Sequence, residues 1–328
     1  MRDELIAAIE NDPDDVESYR VYADWLEANG QPRGQLIQME LLRARLTDGS
    51  KIEHLRRRIE PYFYQHRAVF MNGLSGWTDI RYENHYSPLK WRYGFIHDAT
   101  IGGSYNDDDE NPRGRLRQLL RSPSGRFLVN LTITAEPAQA LLDKLLESVP
   151  LSLRKLAIYT EAIDLTKAWP KLTRLAHLAV RTPELTTGTI DLPNLTTVRF
   201  LGSHAELLSD ARLPALVTLA LVEDGRAGPI TKLLDQLDAP SLARIELDRI
   251  PCGTEVARDL FGTRAGGRIR ELVMIACGLS DADAKHWAKY PPPNRLALLD
   301  VRNNAELTKH GIALLRSIAE RVLARDTE

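Results

Sequence analysis

The chain has 328 residues, of which 43% are hydrophobic and 27% charged, and its formal net charge is −2. That length exceeds one ordinary hydrophobic core, and the composition is that of a folded chain rather than a disordered one. The slight acidity argues against general nucleic-acid binding, and two cysteines, Cys252 and Cys277, are too few for a disulfide framework. No apolar run approaches the ~20 residues that span a bilayer, and the opening MRDELIAAIENDPDD turns acidic at once. A cytoplasmic protein without membrane contact is expected.

Residues 1–70 read as a small all-α module. A first helix runs from about Arg2 to Glu10 and stops at Asn11. Asp12 is the expected N-cap of the second, with Pro13 at its first position and Asp14 and Asp15 on the favourable side of the helix dipole. This helix extends to about Asn29 and ends at Gly30, with Val16, Tyr19, Ala23 and Leu26 as its buried stripe and Tyr22 and Trp25 beside it. Pro32 and Gly34 are read as a break. A third helix carries Leu36, Ile37, Met39 and Leu41, and a fourth carries Ile52, Leu55, Ile59 and Phe63 with Arg56, Arg57 and Arg58 on a solvated face.

The stretch from Asp12 to Leu46 resembles a short N-terminal domain of paralogue-rich myxobacterial and planctomycete families, a companion to repeat arrays. The resemblance rests on Asp12-Pro13, on Tyr22-Ala23-Asp24-Trp25-Leu26-Glu27, on Gly30-Gln31-Pro32-Arg33-Gly34 and on Leu36-Ile37-Gln38. It covers about a tenth of the chain. It implies that leucine-rich repeats follow, and it implies no biochemical activity. Asp24 and Arg33 flank the turn, where they are placed to pair or to hold backbone groups. Trp25, Glu27 and Arg33 are the candidate docking residues of the module.

Residues 71–94 form a connector rich in aromatics (Trp77, Tyr82, Tyr86, Trp91 and Tyr93), which suits packing better than a loose tether. From 95 to 308 an apolar-x-x-apolar-x-apolar triplet recurs nine times. Its units are Ile96-Ala99-Ile101, Leu128-Leu131-Ile133, Leu153-Leu156-Ile158, Leu175-Leu178-Val180, Leu195-Val198-Phe200, Leu216-Leu219-Leu221, Leu242-Ile245-Leu247, Ile269-Leu272-Met274 and Leu296-Leu299-Val301. The first step between middle residues is 32, and the rest are 25, 22, 20, 21, 26, 27 and 27. Spacings of roughly 20–29 are those of leucine-rich repeats. The expected fold is therefore α/β: a leucine-rich-repeat solenoid of about nine units, whose strands pair in parallel and share one core. Longer units hold helices at Ala138–Glu147, Ile230–Leu237 and Asp281–Lys289. The amphipathic stretch Lys309–Arg325, within residues 309–328, is expected to be a capping helix. The usual asparagine after the strand is mostly missing, with Asn304 as the best exception.

Catalytic and metal signatures are lacking: there is no H-E-x-x-H, no phosphate loop, no G-x-S-x-G and no C-x-x-C. No cofactor or metal is expected. Asn106–Asn111 matches a calcium loop in charge but lacks its alternation, and Gly262–Arg268 is either an anion cradle or a glycine-rich turn between units. Strand residues beside the inward ones form an outer sheet face. Tyr159, Arg181, Arg199, Leu201, Ala220, Val222, Glu246 and Asp248 lie on it, an apolar strip between opposite charges of the kind an interface with a polar rim uses. Two functions stay open. One is a protein-interaction scaffold that binds a partner there; the other is an enzyme or enzyme-recruiting factor whose activity lies in the helical module. The partner's identity and the oligomeric state are not encoded in any motif.

Overall fold

The computed structural model describes residues 1–75, 77, 82, 87–102, 111–202, 205–222, 230–250 and 259–324. Cys252, Tyr86 and the acidic stretch before Asn111 lie outside them. The chain divides into two compact units, Met1–Ala157 and Ile158–Glu328. Both are mixed α/β, with a mostly parallel sheet, and no helix among the described residues is long and apolar enough to cross a membrane.

The first unit opens with α1 (Arg2–Asn11), α2 (Val16–Ala28), α3 (Pro32–Ala44), α4 (Gly49–Gln65) and the short α5 (Arg67–Phe70). The cap of α2 is Asp15, not Asp12. Asp15 accepts hydrogen bonds from the backbone of Glu17 and Ser18, and Asp12 instead closes a turn by accepting from Asp14 N at 3.2 Å. Shifting the start by three residues leaves Val16 exposed and moves Tyr22 into the buried stripe with Tyr19, Ala23 and Leu26.

Gly34 does not break the chain either: it lies inside α3, with Pro32 at the helix's first position. A Cβ at Gly34 would stand 2.6 Å from Ala23 O and 2.8 Å from Glu27 N, so glycine is what lets α3 touch the backbone of α2.

β1 (Leu89–Arg92) and β2 (Phe95–Ile101) follow as an antiparallel hairpin, joined by Tyr93 and Gly94 at φ 50° and 69°. Two consecutive left-handed residues make the type I′ turn that suits the twist of a tight hairpin. α6 (Pro112–Arg121), β3 (Asn130–Ile133), α7 (Ala138–Glu147) and β4 (Lys155–Tyr159) complete the unit, β4 straddling its boundary. β3 pairs with β2 in parallel, Ala99 opposite Leu131 and Ile101 opposite Ile133. The connector packs as expected: Trp77, Tyr82 and Tyr93 are each under 8% exposed.

In the second unit the main sheet runs in the order β6 (His177–Arg181), β8 (Thr197–Leu201), β9 (Thr218–Val222), β10 (Arg244–Asp248), β11 (Glu271–Ile275), β12 (Leu296–Asp300) and β13 (Ala319–Leu323). The pairings are parallel and keep the register read from the triplets, Leu178–Val198–Leu219–Ile245–Leu272–Leu299 lying side by side. All twenty-seven triplet residues of the chain are buried, none more than 3% exposed. α8 (Ile230–Gln236) and α9 (Asp281–Lys289) fall where helices are expected, and β5 (Ala162–Asp164) with β7 (Glu184–Thr186) forms a small second parallel sheet that the sequence does not announce.

The end of the chain corrects the sequence reading. Only Lys309–Leu315 is helical (α10); the expected capping helix gives way to β13, which pairs with β12 by setting Ala319 opposite Leu296 and Val322 opposite Leu299. The spacing of Ile312, Leu315, Ile318 and Val322 is helical, and pairing with β12 overrides it from Ala319 onward. Asn304 is buried; it accepts from Cys277 N and Leu279 N and donates to Met274 O and Val301 O, tying two successive loops together.

Two stability outcomes follow. Leu219→Ala removes a fully buried side chain and is expected to lower the unfolding free energy by roughly 2–5 kcal/mol in urea denaturation; an unchanged midpoint would refute the register. Gly34→Ala, although alanine favours helix, is expected to destabilise by about 1–3 kcal/mol because the added methyl meets backbone rather than a side chain that can move.

Candidate functional site

The module's motif is mostly structural. Arg33 does not pair with Asp24 and is not on the surface. It is 6% exposed, its guanidinium stacked 4.5 Å from the Phe95 ring centroid and 5.3 Å from that of Phe70. It donates to Gly94 O and, at 2.8 Å, to Ser124 Oγ, which in turn donates to Phe70 O. Seven residues along the same helix face, buried Glu40 accepts from Gly94 N at 3.0 Å and from the Tyr82 hydroxyl. The peptide groups on both sides of the hairpin turn are thus held by a cation and a carboxyl from α3. Burial lowers the Arg33 pKa to about 10, which still leaves it charged at neutral pH, and burial raises that of Glu40 against the pull of the Tyr82 and Gly94 hydrogen bonds.

The other motif residues point elsewhere. Asp24 is exposed and accepts from Gln38 Nε2 at 2.6 Å, a tie between α2 and α3. Trp25 is half-buried, stacked on Tyr22, with the Arg2 guanidinium 6.0 Å from its centroid; Glu27 is exposed. With Arg33 inside, the expected docking trio is not one surface.

A polar network in the same unit escaped the sequence reading. Arg92 donates to Asp14 at 2.6 Å and lies 3.1 Å from His97 Nε2, while His97 Nδ1 lies 2.6 Å from Asp98 and Asn130 donates to Asp98 at 2.6 Å. A guanidinium only donates, so His97 accepts at Nε2 and donates at Nδ1. Burial works against the Asp98 charge, but His97 and Asn130 outweigh it and hold the carboxyl below its usual range; Asp14 is held low by Arg92. Arg92, His97 and Asp98 sit on the hairpin itself, whereas Asp14 and Asn130 are distant in sequence, so only the fold brings the five together.

On the sheet of the second unit the expected site residues do share one face, in two rows. Ala179, Arg199, Ala220, Glu246 and Val273 lie abreast in one, and Arg181, Leu201, Val222, Asp248 and Ile275 in the next. Their availability differs from expectation. Ala220 is 0% and Val222 6% exposed, so the apolar strip is not open.

Arg199 reaches across β9 to Glu246 at 2.7 Å, in register above Ala220, whose methyl leaves room for the pair to close. Glu246 also accepts from Arg244 at 2.7 Å, and Arg244 bonds Glu271, giving a four-residue charged ladder. Burial opposes the Arg244 charge, but its two carboxylate partners prevail and raise its pKa. Arg181 is exposed; Tyr159, Leu201, Asp248 and Ile275 are half-buried. The Gly262–Arg268 segment satisfies itself: Thr263 donates to Leu260 O and accepts from Gly266 N, and Arg264 N donates to Asp235.

The described residues contain no group of three or more His, Cys, Asp or Glu placed to hold a metal ion. A cavity of about 400 Å³ in the first unit is lined by Arg2, Glu10, Arg121 and Arg126 with Pro123, Val149 and Leu151. Its one carboxylate, Glu10, has Arg126 at 3.8 Å.

No protein-family model matches the chain, and no curated protein matches it in sequence. Among solved structures, a Bacteroides fragilis protein determined as a structural-genomics target is similar in fold, with a TM-score of 0.55 and 18% identity over 70% of this chain and 73% of that one.

Arg33→Lys tests the clamp. Lysine keeps the charge but loses the planar fork and the aromatic stacking, so Gly94 O and Ser124 cannot both be served. A loss of roughly 1–3 kcal/mol is expected in urea denaturation; a variant as stable as the parent would show that the guanidinium geometry does not matter.

Proposed function

We propose that the chain is a leucine-rich-repeat protein whose sheet face in the second unit binds a protein partner, and that its N-terminal helices are the repeat-companion module that they resemble. One observation supports the binding role. The face carries a preassembled ladder, Arg199–Glu246–Arg244–Glu271, with exposed Arg181 and half-buried Leu201 and Ile275 in the adjoining row. Cross-strand ion pairs hold these side chains in place before any partner arrives, which reduces the ordering cost of association and presents both signs of charge beside apolar area. An activity in the helical module would require an acid–base pair around a cavity, whereas the cavity described in that unit gathers arginines.

The centre of the interface moves from the position that the sequence implies. Buried Ala220 and Val222 support the ladder from below, and Arg181 and Leu201 are the accessible contacts. Arg181→Glu combined with Leu201→Asp changes two side chains outside the core. It is expected to weaken a partner captured at physiological salt at least tenfold, with the melting temperature nearly unchanged. A partner bound equally by the parent and the double variant would move recognition off this face.

A further inference from the structure

Between Asn111 and Arg126 the sequence holds five arginines and no acidic residue. α6 buries Leu116 and Leu119, so its remaining positions face outward by the helical period. Arg113, Arg117 and Arg121 are four residues apart and exposed, forming one stripe in which successive side chains rise by about 6 Å. Arg115, off the stripe, stacks on Trp77 at 5.5 Å. Among the described residues, Glu147 on α7 feels the stripe: it bonds Lys144 and is held low first by that lysine, then by Arg113 and Arg117. Among the described residues no carboxylate lies within ion-pair distance of Arg113, Arg117 or Arg121. Elsewhere in this unit the exposed Arg20 pairs with Glu17, and Arg56 and Arg57 with Glu53.

The stripe leads into the 400 Å³ cavity, to which Arg121 belongs together with Arg2 and Arg126. Its wall is apolar: Pro123, Val149 and Leu151, the last 52% exposed. Every cation here is an arginine, whose fork binds carboxylates in pairs of hydrogen bonds. An extended chain places every second side chain on one side at about 6.6–6.8 Å, close to the spacing of the stripe.

We propose that this stripe and groove are a docking surface for an acidic, extended protein segment, with carboxylates at alternate positions on the arginines and one apolar side chain against Leu151 and Pro123. The surface is independent of the sheet face of the second unit. A nucleic-acid backbone fits less well. It needs a broad basic field, whereas this chain has a net charge of −2 and the groove wall is apolar.

The test uses the full chain and a fluorescein-labelled twelve-residue peptide with glutamate at alternate positions and one central leucine, followed by anisotropy at low salt. Saturable binding is expected, at least tenfold weaker for Arg117→Glu/Arg121→Glu and several-fold weaker for Leu151→Lys, whose arginines are intact. Arg58→Glu, in the exposed run on α4, is expected to leave it unchanged, and circular dichroism checks that each variant is folded. Should the charge reversals unfold the protein, Arg121→Gln carries the same expectation at smaller size. No saturable binding to the parent, or equal weakening by Arg58→Glu, would overturn the proposal. Tighter, stripe-dependent binding of duplex DNA would overturn it in favour of a nucleic-acid site.

Discussion

Side chains on a strand alternate between two faces, and in this protein that period is locked to a parallel register. Within the second unit, slipping one strand by one residue would turn its own inward pair outward, Leu219 and Leu221 in the case of β9, so the apolar residues enforce the pairing and the pairing enforces their burial. The rest of the sheet inherits this order. Arg199, Ala220 and Glu246 stand abreast because Val198, Leu219 and Ile245 do. The chain leaves successive strands by a shared device as well: Arg249, Ala276 and Asn303, each 27 residues apart, are left-handed, and the N–H groups of Arg249 and Ala276 bond the carbonyl at the end of the neighbouring segment. Arg249 and Ala276 have no local preference for this conformation, so neighbouring segments hold the backbone there, whereas asparagine at 303 favours it by itself.

The first unit depends on a different device. Burying a guanidinium and a carboxyl is costly unless each is fully engaged, and α3 does so by closing both on Gly94. The return is positional. Tyr93 and Gly94 turn the chain into β2, whose Ala99 and Ile101 open the in-register pairing with β3. The aromatic rings of Tyr19, Tyr22, Phe95 and Phe127 pack together around the same turn. Conserving volume at Arg33 would not be enough, since the planar fork, its stacking and its two acceptors all have to be matched.

The two candidate surfaces differ in how their charges are balanced. On the sheet face the ladder neutralises itself, so affinity there must come from shape, apolar area and the few side chains outside the ladder, with charge setting orientation. On α6 no ion pair to Arg113, Arg117 or Arg121 is formed among the described residues, and charge of that kind acts through fast, salt-sensitive association in the docking proposed above.

Much of this was legible in the sequence. The nine triplets, their register, α7 and α9 follow from apolar spacing, because a strand that buries one face has few other ways to arrange Leu-x-x-Leu-x-Leu. Local signals did less well where two were present. Asp12-Pro13 looks like a cap, yet Asp15 does that work; Gly34 looks like a break, yet it sits where two helices touch. Ile312, Leu315, Ile318 and Val322 keep a helical spacing, and only the edge of β12 makes the last of them a strand residue.

The site was readable by row but not by exposure. Alternation placed Arg181, Arg199, Leu201, Ala220, Val222, Glu246 and Asp248 on one face, whereas burial of Ala220 and Val222 and the reach of Arg199 to Glu246 depend on neighbours 20 or more residues away. The sequence by itself determined which residues face inward, since the period of the chain is local. Which polar residues meet, as with Arg33 and Glu40 at Gly94, was decided by tertiary structure alone, because those contacts span 54 to 91 positions and no spacing rule connects them.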